Sequence, residues 1–323
     1  MNYNVCIDSG TSNTRMWLLD EKGSVLCSTK ENVGSKDSAL CGDRTMLPTR
    51  LKAMYDRLLS DACVEDRQVK DIMASGMLTC PYGFKEVPHV LLPVGEAELA
   101  FSSVRYFEDV AFSREIILVP GVKTSQKDIS SLGNMRGEEV EVVGACVDND
   151  LENTAVVLPG SHTHIAFVQG GRIVDCVSNF TGELFYALKE STILSPILST
   201  GCSSLDHDMA ALGVRNSREL GFNRAIYILN AMRVMQSASQ DEMFSYAEGV
   251  INGGLANILE MYVRQRWTEC TKIAIISDEF MFELLSCIFS TADCLPSCVW
   301  LENSQKESFS LKGMKRILSV INR

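Results

Sequence analysis

Two stretches of this chain repeat one pattern of strand, tight turn and strand, and that repeat constrains the fold more than any other feature. In the first, Val5-Cys6-Ile7 is apolar, Asp8-Ser9-Gly10-Thr11-Ser12-Asn13 has the chemistry of a turn, and Met16-Trp17-Leu18-Leu19 is apolar again. Glu21-Lys22-Gly23 then turns the chain into Ser24-Val25-Leu26-Cys27. In the second, Ala155-Val156-Val157-Leu158 leads through Pro159-Gly160-Ser161-His162-Thr163-His164 to Ile165-Ala166-Phe167-Val168. Gln169-Gly170-Gly171-Arg172 turns that copy into Ile173-Val174. Laid together over about 20 residues, Gly10-Thr11 falls on Gly160-Ser161, which points to two similarly built halves. Two unrelated β-meanders are the plainer alternative.

The remaining pattern fits two α/β halves. Leu47, Leu51, Met54 and Leu58 recur at helical spacing, and Asp71 to Ser75 reads as a buried strand ending at Gly76. Ile116 to Val119 reads as another strand, followed by a polar loop from Lys123 to Gly133 and a helix from Glu138 to Ala145. The polar run Asp148-Asn149-Asp150-Leu151-Glu152-Asn153 marks a domain boundary, giving 1–150 and 151–323. Beyond the second copy the chain is mostly helical. Phe222 to Met235, Tyr246 to Tyr262, Phe280 to Phe289 and Leu311 to Ile321 read as helices, and Lys272 to Ile276 as a strand.

Composition narrows the function. The 323 residues carry a formal net charge of -11, which opposes general binding to nucleic acid or to an anionic membrane. A local nest of backbone N–H groups still holds phosphate against that field. No basic start followed by an apolar stretch opens the chain, and no apolar run nears the roughly 20 residues of a membrane span. A cytoplasmic protein is the expectation. The 12 cysteines form no CxxC pair, so reduced, structural thiols are expected, without metal or disulfide.

A turn of Asp, Gly and hydroxyl residues between two strands suits a metal-bound phosphate. The N–H groups of Gly10, Thr11 and Ser12 can face phosphate oxygens, and Asp8 can hold Mg2+ through its water shell. Gly160 and Ser161 offer the same in the second copy. Arg136 has the fork that suits a carboxylate, or else it is a structural arginine at a helix start. Glu138 is a general base or a helix-capping carboxylate. His162 can bond phosphate or substrate or orient its loop, while His164 fits a packing role and Asp206-His207-Asp208 reads as a solvated polar loop.

Four ordered segments carry a family resemblance. Cys6 to Leu18 resembles the first phosphate segment of the 2-dehydro-3-deoxygalactonokinase family, within the actin/hexokinase/Hsp70 superfamily. Asn134-Met135-Arg136-Gly137-Glu138-Glu139 is similar to its Met-Arg-Gly-Glu-Glu signature, and Leu158-Pro159-Gly160-Ser161-His162 to its Leu-Pro-Gly-Thr-His signature. Thr181-Gly182-Glu183-Leu184-Phe185 matches its Thr-Gly-Glu-Leu-Phe segment. The resemblance implies two actin-like (ribonuclease H-like) lobes, each a mixed β-sheet flanked by helices, with an interlobe cleft. It also implies transfer of the ATP γ-phosphate, with Mg2+, to a hydroxyl of a 2-keto-3-deoxy sugar acid such as 2-dehydro-3-deoxygalactonate. Asp8 would then serve the metal, while Gly10, Thr11, Ser12, Gly160 and Ser161 cradle phosphates. Arg136, His162 and Glu183 would bind substrate, and Asp8, Arg136 and Glu138 would act in catalysis. The sequence admits a homodimer without specifying one.

The chain departs from the family pattern in places. Thr79-Cys80 replaces a Gly-Ser turn, His89 follows Pro88 where tyrosine is usual, and Gly133-Asn134 stand where an acidic residue often precedes the arginine signature. Ser277-Asp278-Glu279 replaces a Gly-Thr-Ser turn after the last strand of the nucleotide half. Asp278 caps the next helix there, or its charge weakens nucleotide binding. An alternative function follows from the latter: a pseudokinase or sensor that binds a sugar acid without phosphoryl transfer.

Overall fold

A computed structural model describes residues 2–125, 128–303 and 308–323; residues 126 and 127 of the polar loop after Lys123 lie outside them. The chain opens with β1 (Tyr3–Ser9), β2 (Thr14–Leu19) and β3 (Val25–Glu31), then α1 (Ser35–Cys41) and α2 (Met46–Asp61). Next come β4 (Val69–Gly76), β5 (Val90–Leu91), α3 (Glu96–Ser102), β6 (Val104–Glu108) and β7 (Arg114–Leu118). β8 (Val122–Lys123), β9 (Asn134–Met135) and α4 (Glu138–Asp148) complete this stretch. The second half has β10 (Thr154–Leu158), β11 (Thr163–Gln169), β12 (Arg172–Asn179), α5 (Gly182–Ser191) and α6 (Ser195–Leu198). It continues with α7 (His207–Leu220), α8 (Phe222–Met235), α9 (Gln240–Gln265), β13 (Lys272–Ser277), α10 (Glu279–Ser290), β14 (Cys298–Glu302) and α11 (Phe309–Ile321).

The sequence repeat is a repeat of topology. One sheet runs β3-β2-β1-β4-β7-β6 and the other β12-β11-β10-β13-β14. In the first, β1 pairs antiparallel with β2 and parallel with β4, and β4 pairs parallel with β7. In the second, β10 pairs parallel with β13, and β13 with β14. Each half is therefore a three-strand meander followed by crossovers that add parallel strands, with β6 pairing antiparallel to β7 at the edge of the first sheet, as expected of two ribonuclease H-like lobes.

The chain separates into two compact units. One comprises Met1–Glu152, Val168–Val177 and Ser304–Arg323, the other Asn153–Phe167 and Ser178–Asn303. The core of the first unit follows from residue type. Val5, Cys6 and Ile7 of the central β1 are all buried, as a strand covered on both faces requires, whereas β3 alternates half-buried and exposed positions. Helix α2 buries Leu47, Leu51, Met54, Tyr55, Leu58 and Leu59 on one face. Helix α11 packs on α4, where Gly144 and Gly313 let the backbones meet; a Cβ on either would strike a carbonyl of the other helix. The same device joins α7 to α9 in the second unit through Gly213 and Gly249. Trp267 anchors that unit, stacked on Phe167 at 5.3 Å and edge-on to Tyr262 at 4.7 Å.

All 12 cysteines are free thiols. Among the described residues no helix is long and apolar enough to cross a membrane. The stretch Asp206-His207-Asp208, read from sequence as a polar loop, is instead a helix start. Asp206 caps α7, its carboxylate accepting from Met209 N–H at 2.9 Å, because a short acidic side chain satisfies the orphan donors of a first turn.

Candidate active site

In the first unit, the turn after β1 is built by its own backbone. Gly10 N–H donates to the Asn13 carbonyl at 2.8 Å, so of the three expected phosphate donors this one is engaged internally. The carbonyls of Gly10 and Thr11 face α1, where they accept from Ser35 at 3.4 Å and Lys36 at 3.0 Å. Gly34, the cap of α1, lies so close to those two carbonyls that any Cβ would collide with them. With its carbonyls drawn into α1, the turn leaves the N–H groups of Thr11 and Ser12 without a partner among the described residues. Such groups favour an anion. Below the turn, the buried Ser9 and Thr14 hydroxyls share a bond of 2.8 Å, and Thr14 donates to the Val33 carbonyl.

Asp8 precedes this turn and is only partly exposed. Burial raises its pKa, the Ser310 hydroxyl and Arg15 oppose the rise, and Glu138 adds to it. Glu138 is brought near by a stack of glycines. Gly76, at φ +77°, leaves no room for a Cβ beside the Ser9 carbonyl, and Gly137, at φ +116°, would place one 3.1 Å from the Gly76 Cα. The ends of β1 and β4 thus meet the N-terminus of α4. There Glu138 accepts from the Arg136 N–H at 3.0 Å, and Glu139 accepts from the Gly137 N–H at 2.8 Å. Glu139 is fully buried; burial, and then its neighbour Glu138, lift its carboxyl to about 8.

Arg136 is half-buried and spends its fork on its own unit. One terminal nitrogen donates to the Thr79 carbonyl and hydroxyl, both at 2.5 Å, and the other to the Val87 carbonyl at 3.2 Å and His89 Nδ1 at 3.1 Å. Since arginine only donates, His89 accepts at Nδ1 and is neutral, in accord with a pKa lowered to about 4 by burial and by Arg136. Thr79 and His89, two of the departures from the family pattern, are therefore the partners of the signature arginine.

In the second unit the turn after β10 repeats the first turn's construction. A Cβ on Gly182 would collide with the Gly160 carbonyl, and the Ser161 carbonyl accepts from Glu183 N–H at 2.8 Å. The buried hydroxyls of Thr163 and Thr181 share a bond of 2.7 Å, as Ser9 and Thr14 do. Glu183 enters through its backbone, and its side chain is exposed at the start of α5. His162 is half-buried against Phe180 and His164, at 5.4 and 6.0 Å. His164 is buried and bonds Ser178 at 3.0 Å, in keeping with a packing role.

Beside this turn is a cavity of about 380 Å³, walled by Gly160, Thr163, Thr181, Phe185, Phe244 and Ser277. Asp278 also borders it, and its carboxylate accepts from Met281 N–H at 2.9 Å as the cap of α10. A larger hollow of about 940 Å³ along α10 and β14 shares no residue with the turn. Sequence reasoning missed Gly34, which nothing in its local pattern distinguishes, and Glu248 and Asn252, which line the cavity from within a helix that reads as core.

The 2-keto-3-deoxy-galactonokinase family model matches residues 8–314. A Rhizobium meliloti (strain 1021) protein named as a 2-dehydro-3-deoxygalactonokinase, DgoK1, is 30% identical over 193 residues, which is 60% of this chain and 58% of that relative. The matched stretch is thus under two thirds of the relative's length. A Sinorhizobium meliloti structure solved under the same enzyme name superposes with a TM-score of 0.75 at 22% identity, covering 99% of this chain and 98% of the other. An activator of 2-hydroxyisocaproyl-CoA dehydratase from Clostridium difficile, solved with ADPNP, superposes with a TM-score of 0.52 at 9% identity, covering 99% and 96%. At these identities the two structures are alike in fold.

Proposed function

The chain belongs to the 2-keto-3-deoxy-galactonokinase family, and from that premise we propose that it transfers the γ-phosphoryl group of ATP to a hydroxyl of a 2-keto-3-deoxy sugar acid, with 2-dehydro-3-deoxygalactonate as the leading substrate. The observation that carries this is the duplicated turn. In both units a glycine-hydroxyl pair packs against a second glycine, Gly34 or Gly182, and the carbonyl of its hydroxyl residue, Thr11 or Ser161, accepts from the following helix, which leaves N–H groups for phosphate oxygens. Phosphoryl transfer asks for little covalent chemistry from a protein, and positioning and charge neutralisation supply most of the rate.

The residues divide accordingly. Thr11 and Ser12 in the first unit, and Gly160 and Ser161 in the second, present backbone donors to the phosphates. Gly10 shapes its turn through the bond to Asn13. The donor set fits a divalent cation. Asp8 is an oxygen ligand of the kind Mg2+ takes, and its repulsion with Glu138 is one that a cation offsets. Bound there, Mg2+ would neutralise phosphate charge. Glu138 is assigned to accept the proton of the attacking hydroxyl. Arg136 is assigned to hold the wall formed by Thr79, Val87 and His89 in place for the sugar acid, while His162 and Glu183 border the second turn, where they meet substrate. A panel of 2-keto-3-deoxy acids offered with Mg-ATP, scored for ADP release, tests the assignment. If no acid stimulates ADP release above the protein-only rate, the function is wrong.

A further inference from the structure

The cavity of the second unit holds an ionisable group that phosphate binding does not use. Glu248 lies on α9 and is 7% exposed. Its Oε2 accepts from Asn252 Nδ2 at 2.8 Å, and the same amide reaches the Glu248 carbonyl at 3.2 Å. Asn252, one helical turn on, therefore fixes the carboxyl group. No donor meets the other oxygen, Oε1, among the described residues. Glu248 lines the cavity, so a ligand held there can supply the missing bond. Burial raises the Glu248 carboxyl to about 7, a perturbation typical of sites that bind or react.

The surroundings define what fits. Phe185 and Phe244 meet edge to face at 5.8 Å and give the cavity apolar walls suited to a planar ring. Asp278 also borders the cavity, but one of its oxygens is engaged by Met281 N–H. Glu248 is thus the carboxyl group whose position is fixed within the cavity rather than at a helix cap. A ring system with N–H or O–H donors, attached to phosphates that reach the Gly160 turn, matches this inventory. We infer that Glu248, held by Asn252, selects the nucleoside of the phosphoryl donor by accepting a hydrogen bond from its exocyclic amino group or its ribose hydroxyls. This rests on the proposed function, in which a nucleoside triphosphate is the donor.

Calorimetric titration of the full chain with ADP, and with two analogues, tests the inference without turnover. Inosine diphosphate lacks the amino group, and 2′,3′-dideoxy-ADP lacks the hydroxyls. Glu248→Gln keeps the shape of the side chain and Glu248→Ala removes it; melting curves confirm that each is folded. The parent should bind ADP, Glu248→Ala should bind it roughly tenfold or more weakly, as for a lost bond to a charged group, and Glu248→Gln should fall between. One analogue should bind the parent more weakly than ADP does, and Glu248→Ala should no longer tell that analogue from ADP, which identifies the group read. If both variants bind ADP as the parent does, Glu248 is a structural residue and the inference fails while the proposed function stands. If the parent takes up no ADP at all, the inference and the choice of donor fall together.

Discussion

The turn after β1 and the turn after β10 share one backbone plan but differ in what they add to it. Both place a glycine, 34 or 182, against the carbonyls of a glycine-hydroxyl pair, and both sit over a bonded pair of buried hydroxyls. The first turn is preceded by Asp8, with Glu138 and Glu139 nearby, and is joined to β4 and α4 by Gly76 and Gly137. The second is preceded by Leu158 and Pro159, has no carboxylate before it, and opens beside an apolar cavity. On this contrast the proposed phosphate contacts fall in both units, the proposed chemistry in the first and the inferred nucleoside recognition in the second.

The contrast between the two turns predicts its largest effect at Asp8. Asp8→Asn should lower turnover by roughly a hundredfold or more, the scale of losing a preorganised electrostatic element, while nucleotide affinity changes less. Steady-state kinetics beside calorimetry measure both, and full activity would reduce Asp8 to a turn residue. Next, Gly34→Ala and Gly182→Ala each drive a Cβ into turn carbonyls and should each cost about 1–3 kcal/mol in denaturant unfolding, the range for overpacking. A loss confined to one of them would show that the two turns are not equivalent.

A somewhat smaller effect is expected at Arg136. Arg136→Ala strands the acceptors Thr79, Val87 and His89 and should cost roughly 1–3 kcal/mol of stability, with KM for the sugar acid rising more than KM for ATP. Equal changes in both KM values with a lower Tm would make Arg136 a brace of the fold alone. Glu139 offers a smaller, pH-dependent test. Its carboxyl is raised from 4.5 to about 8 by burial, so the folded protein holds a proton that the unfolded chain releases. Its stabilising effect is therefore full below about 4.5 and is lost as pH rises through about 8. Glu139→Gln should flatten that fall in Tm between about pH 5 and pH 9; an unchanged slope would show that Glu139 stays ionised. The smallest change is expected from replacing Ser277-Asp278-Glu279 by Gly-Thr-Ser. Loss of the Asp278 cap should cost about 1 kcal/mol of stability, and unchanged ADP affinity would show that this turn does not tune the nucleotide.

Much of the fold was legible in the sequence because it rests on local pattern. Buried strands such as β1 and β10 read as apolar runs, the turns read by glycine and hydroxyl content, and α8 read by its spacing from Phe222 to Met235. The site was legible in part. The turn residues and the arginine signature are contiguous motifs, but Gly34 contacts Thr11 across 23 positions, and Arg136 reaches Thr79 across 57. No local pattern announces such partners. Asp206 to Asp208 misled for the reverse reason, since polar residues that favour a loop also favour the first turn of a helix.

The duplicated strand-turn-strand unit, and the proposal that its turns hold phosphate, come from the sequence alone, because period, turn chemistry and backbone donors are properties of neighbouring residues. How those pieces are completed depends on tertiary packing. The last helix returns to the first unit, where Gly313 meets α4. The fork of Arg136 turns to Thr79, Val87 and His89, and Glu248 becomes a buried acid beside a cavity. Each of these depends on packing between segments far apart in the chain, where close backbone approach and loss of water set the energies, and neither is written in any short stretch of residues.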